Sequence, residues 1–373
     1  MSAHTTTNLP QGRATAAPVP DESLCARLRA AEVAVLMGGV SGEREISLRS
    51  GASIARALRD GADGRGPARV HEVEIDADGA WRVEGKPLAP EVALARFPKA
   101  CVWFLALHGG AGEDGTTQGF LSTAGRTHTG SGVGASALCM SKSWTRDVLR
   151  AAGLSVAPGL VIDAHAWSTT RDSLLQRIAA FGAGGLAVKP DGGGSSVATT
   201  ILRAGGDVQV AIDRAFGAGA RVLVEARIEG VEATCGVLGG RQDLPRALTP
   251  VEIVPHDGRF FDYDEKYSAA GAAEHCPPLS IGEATCERIR DAAVRAFRAT
   301  HCAGYARVDF MVPHPGSGPL DTPAVPAPVV LEINTLPGMT DRSLLPLAAA
   351  QSGLGYRDLC LEILRLALER PTP

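Results

Sequence analysis

From Glu32 onward the chain repeats one pattern: a short apolar run, a glycine turn, then a stretch with helical periodicity. VAVLM (33–37) runs into Gly38-Gly39 and EREISLRSGASIARALR (43–59); VHEVEI (70–75) and CVWFLALHGG (101–110) follow. Apolar runs this short read as strands, and strands alternating with helices pair in parallel. A parallel sheet puts its functional loops at the carboxyl ends of its strands. The alternation therefore predicts an amino-terminal, Rossmann-like α/β domain.

Past about residue 155 strands dominate: LAVKP (186–190), VATTI (197–201), RVLVEARI (221–228) and EATCGVL (232–238), with one helix candidate, DVQVAIDRAF (207–216). The final third holds VEIVP (251–255), a helix at 283–300, the strands ARVDFMV (306–312) and VVLEINT (329–335), and two closing helices. The whole reads as α/β, with α+β character after the first domain. A chain of 373 residues is too long for one compact core, so two or three domains are expected. Residues 1–28 mix Thr, Ala, Pro and polar residues without an apolar stretch, and read as a disordered tail rather than a signal or membrane segment.

Net charge is −4, without long runs of one sign, which argues against a nucleic-acid binder held by phosphate contacts. The eight cysteines are scattered with no C-x-x-C pair, so neither a disulfide framework nor a zinc site is expected, and a cytoplasmic setting fits.

Charge enters the strands in a pattern. Side chains at i and i+2 of a strand share a face. Glu332 and Asn334 therefore project together, as do Arg307 and Asp309. Were these strands neighbours, one face would gather two carboxylates, an amide oxygen and a guanidinium. Such oxygen ligands suit Mg²⁺, which takes few protein carboxylates and leaves positions for substrate phosphates. An ordinary ion pair on a half-exposed strand satisfies the same spacing.

LAVKPDGGGSSV (186–197) sets Lys189 at a strand end before three glycines and two serines. Its backbone amides and hydroxyls suit phosphate oxygens, with Lys189 as a point charge; a flexible hairpin is the plainer reading. In HGGAGEDG (108–115), His108 follows an apolar strand, as a functional or a structural histidine alike. In GGVSGEREIS (38–47), Glu43 sits between strand and helix, as a ligand group or as a helix-dipole charge. No G-x-S-x-G elbow or P-loop is present. GSGVGA (130–135) follows AGRTHT rather than an apolar strand, which rejects a dinucleotide site.

GGVSGEREISLRSG, ALHGGAGEDGT, TGSGVGASALCMSK, VKPDGGGSSV, FFDYDEKY, ARVDFM and EINTLPGMT, in this order, resemble the D-alanine–D-alanine ligases of the ATP-grasp superfamily. The resemblance covers about residues 31 to 368. It implies an ATP-grasp fold with an amino-terminal substrate domain (29–130), a central ATP-grasp subdomain (131–225) and a carboxyl-terminal catalytic domain (226–373). It also implies ATP-dependent joining of two D-alanines through an acyl phosphate, two Mg²⁺ ions (Mn²⁺ as a possible substitute), and a homodimer with no nucleic-acid or membrane partner. By motif match, Lys142 and Lys189 are the phosphate lysines, and Glu225, Ile228 and Glu232 the adenine and ribose contacts. Asp309, Glu332 and Asn334 become the metal ligands; Arg307 and the Gly338 backbone stabilise the tetrahedral intermediate. Glu43, with Ser195 and Tyr267, receives the first substrate's ammonium, and His108 lies near that substrate. Lys266 touches the γ-phosphate from a closing loop, and Ser343 meets the second substrate's carboxylate.

The chain departs from the family at Ala226, where a basic residue is usual, and in the Pro-rich insertion at 313–328. Ligases that take D-lactate or D-serine second, or that make other dipeptides, share most of these blocks; Tyr267 favours D-alanine. An inactive ATP-grasp module is the remote alternative, and every matched metal ligand and phosphate lysine stands against it.

Overall fold

The computed structural model of the protein describes residues 22–59, 64–194, 198–239, 244–255, 272–314 and 327–369. Ser195, Lys266, Tyr267 and residues 315–326 of the Pro-rich insertion lie outside these residues.

The first sheet arises as the alternation predicts. Helix α1 (Glu22–Ala30) precedes strand β1 (Glu32–Gly38), helix α2 (Arg44–Arg59) and strand β2 (Arg69–Ile75). A hairpin of β3 (Trp81–Val83) and β4 (Lys86–Leu88), helix α3 (Pro90–Ala95), strand β5 (Val102–Leu105), a 3₁₀ turn (Gly110–Gly112) and helix α4 (Thr116–Thr123) follow. The strand order is β4-β3-β2-β1-β5. β1 runs parallel to β2 and β5, while β3 and β4 extend the edge antiparallel. Gly51 lets α2 lie close on β1, because a Cβ there would stand 2.5 Å from that of Met37.

Two parts of the sequence reading are corrected here. Residues 22–28, read as tail, belong to α1, whose Leu24 and Leu28, one turn apart, are buried. The segment is too short and too charged for periodicity to reveal it. The β3–β4 hairpin, with only three residues per strand, also escaped notice.

Helices α5 (Val133–Met140) and α6 (Lys142–Ala151), broken at Ser141, lead to the second sheet. This sheet comprises β6 (Gly159–Asp163), β7 (Leu186–Pro190), β8 (Thr200–Leu202) and β9 (Arg221–Ala226) in the antiparallel order β6-β9-β7-β8. Helices α7 (Ala164–Thr169), α8 (Arg171–Ala179) and α9 (Val208–Phe216) cover it; only α9 is anticipated by the sequence.

The third sheet is antiparallel, in the order β13-β12-β10-β14-β15, with β11 on β10. Its strands are β10 (Gly230–Gly239), β11 (Arg246–Ala247), β12 (Val251–Val254), β13 (Ala273–His275), β14 (Gly304–Pro313) and β15 (Val329–Asn334). Helix α10 (Glu283–Ala299) packs on one face, through Ile289, Ala293 and Phe297. Helices α11 (Leu344–Gln351) and α12 (Tyr356–Leu368) close the other. The same hydrophobic cluster holds Leu345, Leu364 and Ile363 together with Val35, Phe104 and Ile54 of the first sheet and α2. The carboxyl end of the chain thus packs into the amino-terminal core.

Candidate active site

The first contribution comes from the carboxyl ends of β1 and β5. Gly38 adopts φ +86°, where a Cβ would lie 2.4 Å from Ile75 O, so only glycine makes this turn. Ser47 ties the turn together: its hydroxyl accepts from Gly38 N at 2.8 Å and donates to Ala106 O at 2.7 Å. Ser41 Oγ accepts from Glu43 N at 3.2 Å and donates to His108 O at 2.6 Å. These bonds bring Glu43 against the loop after β5, where a Cβ on Gly109 would meet Glu43 Oε2 at 2.8 Å.

His108 is buried. Its Nδ1 lies 3.1 Å from Leu336 O and its Nε2 3.2 Å from Ser50 Oγ. Burial pushes its pKa down to about 4, with the Leu336 carbonyl opposing and Arg307 reinforcing the shift, so the ring is neutral at pH 7.

Glu113, which sequence reasoning passed over, is buried and accepts from Gly109 N at 2.7 Å. Burial raises its pKa to about 8, helped by the charge of Glu43 and more weakly by Glu332, and opposed by Gly109 N–H and Arg307. A Cβ on Gly194 would lie 3.6 Å from Glu43 Oε2 and 3.8 Å from Glu113 Oε2. Two acids of the first sheet therefore face the glycine loop of the second. Its position inside HGGAGEDG was the only available signal for Glu113; a loop has no periodicity from which burial can be read.

The second contribution is that glycine loop and the start of α6. Asp191, buried at the end of β7, accepts from Ser143 N at 2.7 Å and Ser143 Oγ at 2.9 Å, and pairs with Arg221. Its carbonyl accepts from Lys142 N at 2.9 Å. Thus fixed, Lys142 reaches back to donate from Nζ to Gly193 O at 2.6 Å. Its pKa is lowered, chiefly because the ammonium is withdrawn from water; Glu332 pulls the other way and Lys189 adds to the lowering.

Lys189 Nζ pairs with Glu225 Oε2 at 2.5 Å, and Arg146 Nε approaches Glu225 Oε1 at 3.2 Å. Glu225, expected at the adenine, is buried between these two cations. Ile228 lies in the turn joining β9 to β10, and Glu232 sits on β10 in register with Met311 and Ile253. The three residues assigned to the nucleoside thus line the step from the second sheet to the third.

The third contribution confirms the premise of the charge pattern: β14 and β15 are neighbours. Arg307 is in register with Asn334 and Asp309 with Glu332, all on one face. Asp309 is buried and takes both prongs of Arg307, Nε to Oδ1 and Nη2 to Oδ2, each at 2.8 Å; Thr234 Oγ1 donates to Oδ1 at 2.5 Å. Asn334 Oδ1 accepts from Leu336 N at 3.0 Å and keeps a second lone pair.

Among the described residues no three His, Cys, Asp or Glu side chains gather into a self-sufficient metal cage. Two opposed carboxylates and an amide oxygen are instead a set of oxygen donors of the kind that could hold a divalent cation whose shell is completed by phosphate oxygens. Beyond Pro337, Gly338 lies close to Ser343, where a Cβ would meet Oγ at 2.9 Å. Thr340 N donates to Ser343 Oγ at 3.1 Å.

Over most of its length the chain resembles known proteins of one family. Residues 148–365 match the family described as D-ala D-ala ligase C-terminus. The chain is 40% identical over 339 residues to the D-alanine–D-alanine ligase of Desulforudis audaxviator, covering 91% of this chain and 99% of that one. It is 37% identical over 341 residues to the D-alanine–D-alanine ligase of Gluconobacter oxydans, covering 91% and 100%. Among solved structures, the D-alanine–D-alanine ligase from Coxiella burnetii superposes with TM-score 0.73 at 29% identity, over 92% of this chain and 95% of that one. The D-Ala:D-Ser ligase from Enterococcus faecalis gives TM-score 0.74 at 27% identity, over 91% and 99%.

Proposed function

The chain belongs to the D-alanine–D-alanine ligase family, and from that premise we propose that it joins two D-alanine molecules with ATP for peptidoglycan precursor synthesis. It is an ADP-forming carbon–nitrogen ligase of ATP-grasp fold. The observation that carries the reading is the convergence of opposed carboxylates on β14 and β15, Lys142 of α6 with Lys189 of the second sheet, and the acids beyond β1 and β5.

A carboxylate is a poor acyl donor, and ATP makes it a good one by phosphorylating it. Lys142 and Lys189 receive the charge gathering on the transferred phosphoryl group. Asp309, Glu332 and Asn334 would hold two Mg²⁺ ions, or Mn²⁺, which supply further charge neutralisation at the phosphates. Glu225, Ile228 and Glu232 seat the adenosine; the buried Glu225 does so partly by orienting Lys189. Glu43 receives the ammonium of the first D-alanine beside Glu113, with Ser195 and Tyr267 assigned to the same task by the family resemblance. The amine of the second D-alanine then attacks the acyl phosphate, and the oxyanion is met by Arg307 and the Gly338 N–H. Collapse of the intermediate forms the peptide bond and releases phosphate. Ser343 holds the second carboxylate, and the family resemblance assigns Lys266 to the γ-phosphate.

A homodimer and a cytoplasmic setting complete the proposal, the first by resemblance and the second because the reaction draws on ATP. Sedimentation at working concentration is expected to give twice the chain mass. The likeness to a D-Ala:D-Ser ligase supplies the second reading, in which D-serine replaces the second D-alanine. Phosphate release with D-alanine, D-serine, D-lactate and L-alanine, with and without Mg²⁺, separates the two. D-Alanine alone is expected to support Mg²⁺-dependent turnover; silence with D-alanine alone would refute the first reading.

A further inference from the structure

The turn after β15 is held from the first sheet by a residue inside the GGVSGEREISLRSG block to which the mechanism above gives no role. Ser50, on α2, is wholly buried. Its Oγ stands 3.2 Å from His108 Nε2 and 3.3 Å from Met339 N. We propose that Ser50 is a positioning residue: through His108 and Met339 it clamps both ends of the Leu336–Met339 turn, so that the Gly338 N–H points at the reacting carbonyl. The proposal rests on the oxyanion role given to Gly338 above.

Donor and acceptor chemistry fixes the direction of every bond. The Leu336 carbonyl can only accept, so His108 Nδ1, at 3.1 Å, carries a proton. In a neutral imidazole Nε2 is then the acceptor, and the Ser50 hydroxyl donates to it. The Met339 amide can only donate, so it uses a lone pair of the same oxygen. One chain results: Met339 N–H to Ser50 Oγ–H to His108 Nε2, then Nδ1–H to Leu336 O.

An imidazolium would reverse the Ser50 link, and both burial and the nearby Arg307 disfavour it. The chain starts and ends on the turn, straddling Pro337-Gly338. Two further bonds brace the same segment: Tyr356 Oη donates to Met339 O at 2.5 Å, and Leu336 N donates to Asn334 Oδ1 at 3.0 Å. The amides of Leu336 and Met339 are thereby engaged, while the Gly338 N–H has no hydrogen-bond partner among the described residues. An amide left over in a turn this constrained is suited to a developing oxyanion.

The test is a pair of measurements on the full chain. Ser50→Ala strands both the Met339 amide and His108 Nε2. It is expected to lower kcat for D-alanine-dependent phosphate release about 10- to 100-fold while leaving KM for ATP within about twofold. An unchanged kcat in a folded variant overturns the proposal. Independently, ¹⁵N spectra of histidine-labelled wild type should show the His108 ring, identified by its absence in His108→Gln, as the neutral Nδ1–H tautomer at pH 7. An Nε2–H tautomer or an imidazolium there overturns it too, and this reading stands even if Ser50→Ala fails to fold. A wild type without D-alanine-dependent turnover contradicts the ligase reading instead, and the clamp is then judged by the ring signal alone.

Discussion

Asp309 and Glu332 face each other across an antiparallel ladder, an arrangement of like charges that costs free energy until cations share it. Arg307 offsets part of that cost at Asp309, and the charge of Lys142 bears on Glu332; the rest falls to the cations proposed to sit there. Glu332→Gln is therefore expected to reduce D-alanine-dependent phosphate release by about 100-fold or more, on the scale of one lost charge-stabilising group. In thermal-shift measurements with ADP, the wild type should gain stability from added Mg²⁺ and the variant should not. An equal Mg²⁺ gain in both would remove Glu332 from the metal site.

Two buried groups at the same site titrate in opposite senses. The pKa of His108 falls to about 4, below the unfolded value near 6.5, so its share of stability is present above pH 6.5 and lost as pH falls towards 4. The pKa of Glu113 rises to about 8, so the folded state holds its proton between pH 4.5 and 8 and stability is lost as pH rises through that window. Integrated over the shift, the Glu113 loss is on the order of 4 kcal/mol. Glu113→Gln keeps an acceptor for Gly109 N–H and removes the charge. In denaturant titrations its stability should match wild type near pH 4 and exceed it by several kcal/mol at pH 8; equal stability at both would contradict the account.

The elements show where sequence reasoning reaches and where it stops. A period of two marks Arg307 with Asp309 and Glu332 with Asn334 as shared faces, and the ladder makes them neighbours. Glu225 shows the limit: nothing local reveals that an acid on β9 will take Lys189 from β7 and Arg146 from α6. Leu336 is similar, since its part is played by a backbone carbonyl that any residue would supply. Short elements such as α1, α7, α8 and the β3–β4 hairpin carry too few turns or alternations to register.

Gly230, at the start of β10, answers a demand of the ladder, because a Cβ there would fall 2.0 Å from Val312 O on β14. Gly230→Ala should force β10 and β14 apart and cost about 2 kcal/mol or more, read as a lower urea midpoint at unchanged slope. A midpoint equal to wild type would mean that the ladder gives way freely.

At the scale of the whole molecule, the site exists only where three sheets meet, and the chain secures that meeting with its own carboxyl end. Helix α12 packs into the core of the first sheet, and Arg357 donates to Ala57 O at 2.8 Å. Across the same junction, His108 and Ser50 grip the turn after β15. The central claim is that this junction activates a carboxylate by transferring a phosphoryl group to it. Turnover with D-alanine labelled with ¹⁸O in its carboxylate tests that directly. The account predicts that the phosphate released carries one labelled oxygen per peptide bond formed. Phosphate free of label, released in step with peptide formation, would contradict it.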